Sequence, residues 1–478
     1  MSAPRGGDLS VLEQRPGPGR PRPYRFPPFE REQLDNGLTI ITAHLPGRPL
    51  LAAHLLFEGG SGSEPAELAG ITSLTARALT EGTQSRTAIE LIEAAERLGA
   101  ELHADAGWEM SSASVDVPRR HFGPAIGLLA EMIRRPSFPA PEVERLRDER
   151  LNDLLQARAD PRRRVDRAFA ETIYDAASPF SRPQGGTEET VEPLGRDDVV
   201  MRHAALLDPR AATLIVAGDL AGVAVRQVAE EHLGDWSGED AAPVRVSVDP
   251  RAHASGARLV LLDRPGAPQT EIRVGHVGLA RTAPDFHAVS VMSSILGGLF
   301  NSRLNRLLRE ERGYTYGIGA GFEFRRAAGP FSVRTAVETD VTIPALRDIY
   351  SELERMGGPL VEEAELNEAR DYLIGVFPLR FEGAGQVAAA IAGLVTHELP
   401  DDELDRYRPA VAEVSAEDVL AAAAHIRPHE LSTVLVGDAE SIEPALAKGG
   451  FARVEVVREA LVTPDGEPIL EAALEAGT

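Results

Sequence analysis

Two segments of this chain end alike, 219 residues apart. DDVVMRHAALLDPRAATLIVAGD finishes at Asp219 and EDVLAAAAHIRPHELSTVLVGD at Asp438. Each reads as a helix, a proline-containing turn (Pro209, Pro428) and a β-branched strand running into Gly-Asp. In a chain of 478 residues, that offset predicts a fold built twice. Both halves also open with strand-like stretches, GLTIITAHL and LLAAHLLFEGG in the first, ARLVLLDRPG and TEIRVGHVGL in the second. Helical periods follow, among them AIELIEAAERLG, PEVERLRDERLNDLL, SRLNRLLREE and PALRDIYSELERM. The expected class is α+β: two duplicated domains, each a mainly antiparallel sheet with helices packed on it. The expected boundaries are a flexible N-terminal arm at 1–28, a first domain at 29–236, a linker at 237–257, a second domain at 258–448 and an extension at 449–478. The arm is rich in Pro, Gly and Arg, and the linker is poor in bulky apolar residues.

Composition narrows the chemistry. Lys plus Arg number 50 against 74 Asp plus Glu, a formal charge of −24, which argues against nucleic acid or anionic lipid as the partner. The chain has no cysteine, so disulfides and thiolate metal sites are excluded and a transition metal would need His, Asp or Glu. No apolar run reaches the roughly 18 residues a membrane span needs. The N-terminus lacks the apolar core of a signal peptide, and a cytoplasmic location is expected. GGLFNSRL has glycines without a dinucleotide-binding frame. The carboxylates of VEEAELNEARDYLIGV (361–376) suit a solvated helix face.

Neither H-E-x-x-H nor H-x-x-E-H occurs in the sequence. His425 and His429 stand four apart, but Pro428 between them makes a turn, and they read as loop histidines. The stretch Glu64 to Val115 nonetheless resembles the opening domain of the insulinase/pitrilysin (inverzincin) zinc metallopeptidases. Gly70, Gly82-Thr83, Leu98-Gly99 and Ala104 fall in that family's frame, and Ser178 to Leu194 is similar to the region before its domain-ending helix. The resemblance spans about residues 30–445 and implies that a helix after Gly70 would carry the zinc-binding H-x-x-E-H. In this frame Ser73, Ala76 and Arg77 stand where His, Glu and His belong. The third ligand, a Glu, corresponds to Asn152, or to Asp153 one register on. Two imidazoles at i and i+4 can face one ion from one side of a helix, with the Glu activating its water. Serine is a poor ligand, alanine takes no proton, and arginine sets a fixed positive charge where the dication would sit. No metal or cofactor is therefore expected in this chain.

The second half keeps more of the family pattern. Pro268-Gln269-Thr270, Asp285-Phe286, Leu296-Gly297-Gly298, Ser302-Arg303-Leu304, and Arg309 seven residues before Tyr316 all match it. The resemblance implies that Arg309 and Tyr316 reach across a closed chamber to a peptide lying on the zinc of a facing domain. A phenol aimed at the scissile carbonyl oxygen would stabilise its developing charge, and a guanidinium would hold peptide carbonyls. Some bacterial members divide the work between two chains, and this sequence resembles the one without zinc. The expectation is a non-catalytic, substrate-binding subunit of a heterodimeric zinc metallopeptidase, with zinc in a partner chain that carries H-x-x-E-H. The alternatives are a structural scaffold subunit of a larger complex, or a homodimeric peptide-binding protein without hydrolysis.

Overall fold

The β-branched and alternating stretches of each half form one six-stranded sheet. The computed structural model describes residues 19, 22–47, 49–238, 248–451 and 454–458. Sheet 1 contains β1 (Phe29–Gln33), β2 (Thr39–His44), β3 (Leu50–Glu58), β4 (Glu101–Ala106), β5 (Met110–Pro118) and β6 (Ala212–Gly218), in the order β1-β2-β6-β3-β5-β4. Sheet 2 contains β7 (Leu259–Asp263), β8 (Gln269–Val277), β9 (Ile318–Phe322), β10 (Pro330–Glu338), β11 (Ser432–Gly437) and β12 (Val454–Val457), in the order β12-β7-β11-β8-β10-β9. The duplication is carried residue by residue: β3 begins at 50 and β8 at 269, β6 ends at 218 and β11 at 437, an offset of 219 in both cases. Pairing is duplicated too, since β6 is parallel to β2 and antiparallel to β3, and β11 is parallel to β7 and antiparallel to β8. Only the outer strand differs. β1 runs antiparallel to β2, whereas β12 runs parallel to β7.

One face of sheet 1 is covered by helices α1 (Ile71–Ala78), α2 (Ala88–Leu98) and α3 (Phe122–Arg134) together with their neighbours. Their apolar stripes meet Ile40, Leu55, Val115 and Leu214 in the main core of the first half. The start of α2 is set by Thr87, which accepts from Glu90 N–H while the Glu90 carboxylate accepts from Thr87 N–H. Behind α1 lies α4 (Ala140–Ala159), followed at once by α5 (Pro161–Ile173), whose first turn is capped by the Asp160 carboxylate.

The two halves exchange helices. α5 leaves the first half and packs Val165, Phe169 and Ile173 on Val260, Leu262, Val434 and Val436 of sheet 2. In return α6 (Ala384–Thr396) lays Val387, Ala388 and Ile391 on Ile41, Ala52, Leu56 and Ile215 of sheet 1. The small residues of GAGQVAAAIAGLV allow this close approach. An ion pair marks the first exchange: Arg273 on β8, 2% exposed, bonds Asp166 of α5 at 2.6 Å. The expected linker is described only in part, and there His253 N–H and Ile173 C=O tie it to the end of α5. Of the expected arm, residues 1–18, 20 and 21 lie outside the described residues. Beyond them Phe26 is buried edge-on against Phe381. The extension supplies β12, and its residues from 459 onward lie outside the described set. Among the described residues no helix is long and apolar enough to cross a membrane.

One expected helix takes another form. SRLNRLLREE has a helical period, yet Asn305–Glu311 is wound as a π-helix, as is Ser294–Gly298 before it. Such wide turns occur mostly as local insertions, often at functional sites.

Candidate functional site

The helix that would carry a zinc motif is firmly placed. Gly70 precedes it with φ of 98°, and a Cβ there would meet Gly185 O at 2.6 Å. The buried Glu64 carboxylate accepts from the N–H groups of Gly70 (2.9 Å) and Thr72 (2.6 Å), satisfying donors at the start of α1. Burial still pushes the Glu64 carboxyl above its ordinary pKa.

On α1, Ser73 is half-buried, Ala76 is buried and Arg77 is exposed. Arg77 Nη2 donates to Glu149 Oε2 of α4 at 2.8 Å. Glu149 in turn accepts from Arg145, which also reaches Glu142 and Glu81. Arg145 and Arg77 hold the Glu149 carboxyl below the usual carboxylate range. Asn152 is exposed, and Asp153 is engaged by Arg150 (2.6 Å) and Arg163 (2.9 Å). The residues expected at the zinc-ligand positions are thus drawn into, or lie beside, an arginine–carboxylate network. With no imidazole on α1 and a guanidinium at position 77, these residues do not fit zinc. Among the described residues no group of three His, Asp or Glu is placed to hold a metal ion. A cavity of about 1140 Å³ opens beside this network, with Arg77, Glu149 and the outer strand β4 on its wall.

The second-half residues are built on the π-helical segments. Gly297 lies so close to β9 that a Cβ would meet Ala320 N at 2.4 Å, so only glycine allows the first π-turn to seat on the strand. Buried Asn305 donates to Ile318 O at 2.7 Å and accepts from Ile318 N–H at 3.2 Å, fixing the start of β9. Arg303 makes a bidentate pair with Glu365, at 2.8 and 2.7 Å. This scaffold carries Arg309, which sits 4.0 Å over the exposed ring of Phe300. Tyr316 follows, two residues before β9, with 97% of its surface exposed. Its neighbours are held: Thr315 Oγ1 donates to Gly317 O at 2.9 Å, and the Thr335 hydroxyl on β10 lies 3.0 Å from that of Thr315. The loop is pinned on both sides of a side chain that projects freely.

Sequence reasoning did not single out Glu149, Arg145, Phe300 or Asn305. The first two had a signal in the i, i+3 and i, i+4 spacing of Glu142, Arg145 and Glu149. Phe300 and Asn305 had none beyond their place in the matched stretch. His425, read as a loop residue, bonds Asp285 at 2.6 Å.

Comparison with known proteins gives this architecture a lineage. Residues 39–183 match the model "Insulinase (Peptidase family M16)", and residues 193–373 match "Peptidase M16 inactive domain". The chain is 27% identical over 354 residues to an uncharacterized zinc protease of Mycobacterium leprae, covering 74% of this chain and 79% of that one. It is 22% identical over 339 residues to a non-peptidase homologue of Helicobacter pylori, covering 70% and 76%. A solved peptidase M16 inactive domain from Pseudomonas fluorescens superposes with a TM-score of 0.78 at 22% identity, covering 86% of this chain and 98% of that one. With two sheet-and-helix domains duplicated in this way and both halves matched, the chain belongs to the insulinase family, peptidase family M16.

Proposed function

We propose that this chain is the non-catalytic, substrate-binding subunit of a heterodimeric zinc metallopeptidase that cleaves peptides in a chamber enclosed by two chains in the cytoplasm. A family member carrying H-x-x-E-H is the partner, and zinc resides there. The observation that supports this reading most is the pairing of a lost ligand set with a presented donor set. Arg77, which the family frame aligns with a zinc ligand, instead pairs with Glu149, while Tyr316 stands 97% exposed on a pinned loop.

The chemistry assigned to this chain is binding and charge stabilisation. The Tyr316 hydroxyl donates to the oxygen of the scissile carbonyl as it gains negative charge, a role in which one donor is worth about 10²–10³ in rate. Arg309, kept extended by its stacking on Phe300, offers its planar fork to carbonyls of the peptide backbone. Among the described residues β9 is the outer strand of sheet 2 and begins two residues after Tyr316, so its edge can pair with an extended peptide.

The test is steady-state kinetics on the two-chain complex. Tyr316→Phe is expected to lower kcat by about 10²-fold with little change in melting temperature, because the side chain is 97% exposed. An unchanged kcat removes Tyr316 from the mechanism and favours a scaffold role.

A further inference from the structure

Away from the Arg309–Tyr316 surface, a cavity of about 680 Å³ lies between the halves, walled by α4, α5 and the 178–183 turn on one side and by Leu262 and Arg325 on the other. Its size is that of a small-molecule site. Seven arginines line it against two acidic residues, Asp166 and Glu171, in a chain whose net charge is −24.

Most of these cations have a carboxylate: Glu188 stands 2.6 Å from Arg158 and 3.1 Å from Arg167, Glu171 takes Arg167 at 3.0 Å, and Glu323 takes Arg325 at 2.6 Å. Arg150 and Arg163 share the single carboxylate of Asp153. Asp166 is drawn away to buried Arg273. Among the described residues Arg182 has neither an ion pair nor a side-chain hydrogen bond, and Glu64 and Glu67 act on it only through space. Burial holds both Arg150 and Arg182 below the ordinary guanidinium range, whereas their carboxylate partners hold Arg163 and Arg167 above it. Arg325, paired with Glu323 at 2.6 Å, has its Cζ 4.9 Å from the Trp108 ring and 4.4 Å from that of Phe180, and its buried Nη1 has no hydrogen-bond partner among the described residues. The wall therefore combines a crowd of guanidinium groups, with Arg182 lacking a carboxylate partner among the described residues, and a flat aromatic surface.

We propose that this cavity binds a small organic phosphate, its dianionic head on Arg182 and the adjoining arginines and its flat apolar body against Trp108. Guanidinium forks match phosphate oxygens in pairs, and an aromatic face beside them takes a planar body. The proposal stands apart from the peptidase reading, since no residue of the Arg309–Tyr316 surface takes part in it.

The chain has two tryptophans, Trp108 in this cavity and Trp236 buried in the first core, so intrinsic fluorescence reports on the site. The full-length protein is titrated with phenyl phosphate, inorganic phosphate and phenol, by calorimetry and by fluorescence. Phenyl phosphate is expected to saturate and to bind at least about tenfold more tightly than either fragment, because only it engages both walls. Arg182→Gln, verified as folded by an unchanged melting temperature, should weaken it by about tenfold or more through loss of one charge-assisted contact. Trp108→Phe should abolish the fluorescence change while heat of binding remains. Absence of saturable binding, an affinity untouched by Arg182→Gln, or inorganic phosphate binding as tightly as phenyl phosphate would overturn the proposal.

Discussion

Arg77 of α1 and Glu149 of α4 meet at 2.8 Å, an ion pair that joins two helices of the first half. Both side chains are close to half exposed, so the pair is screened and contributes modestly. A double-mutant cycle with Arg77→Ala and Glu149→Ala should return a coupling of about 0.5 kcal/mol that shrinks as salt is raised. A coupling of zero in low salt would show that the network does not join the two helices.

The helix exchange makes a second prediction. Ile391 of α6 is fully buried against sheet 1 although the helices before and after α6 pack into the core of the second half. Ile391→Ala should destabilise the chain by about 2–5 kcal/mol. Because each half covers the other's sheet, denaturation should remain one cooperative transition. Two separated transitions, with only one moved by the substitution, would contradict the interlocked arrangement.

Buried histidines set the acid limb of stability. His276 is 3% exposed, its Nε2 accepts the Arg427 N–H at 3.1 Å and the Arg427 guanidinium stands beside it. Burial and that arginine pull its pKa down to about 4 from 6.5. Burial, helped by the charges of Arg281 and Arg326, also pulls His397 down to about 4. A depressed folded pKa means that the unfolded chain binds protons first, so stability is full above about 6.5 and falls as the pH drops toward 4. Between pH 7.5 and 5.5 the loss from His276 should be about 1–2 kcal/mol by denaturant titration, and His276→Gln should flatten the profile over that range. A wild-type profile already flat there would refute the assignment.

How far the sequence reached depends on the kind of contact involved. The duplication was legible because Gly218-Asp219 and Gly437-Asp438 close equivalent strands in equivalent sheets, and strand-to-strand order follows from local pattern. The destination of GAGQVAAAIAGLV was not, because an apolar face of small residues carries no mark of which sheet it will cover. Asn305–Glu311 has the side-chain period of an α-helix, and the wider turn comes from tertiary demands, the bonds from Asn305 to β9 and the approach of Gly297 to Ala320. The family frame singled out Arg77 but carried no sign of its partner, Glu149. Glu149 lies one turn before Asn152 and Asp153 on α4, and a guanidinium reaches further than an imidazole.

The central claim is that this chain works beside a second one that holds the zinc. A tagged pull-down from the native host, with the co-purifying chains identified by mass spectrometry, tests it most directly. The account predicts recovery of a family member carrying H-x-x-E-H at close to one-to-one ratio. Recovery of this chain alone, or only of partners lacking that motif, would contradict it.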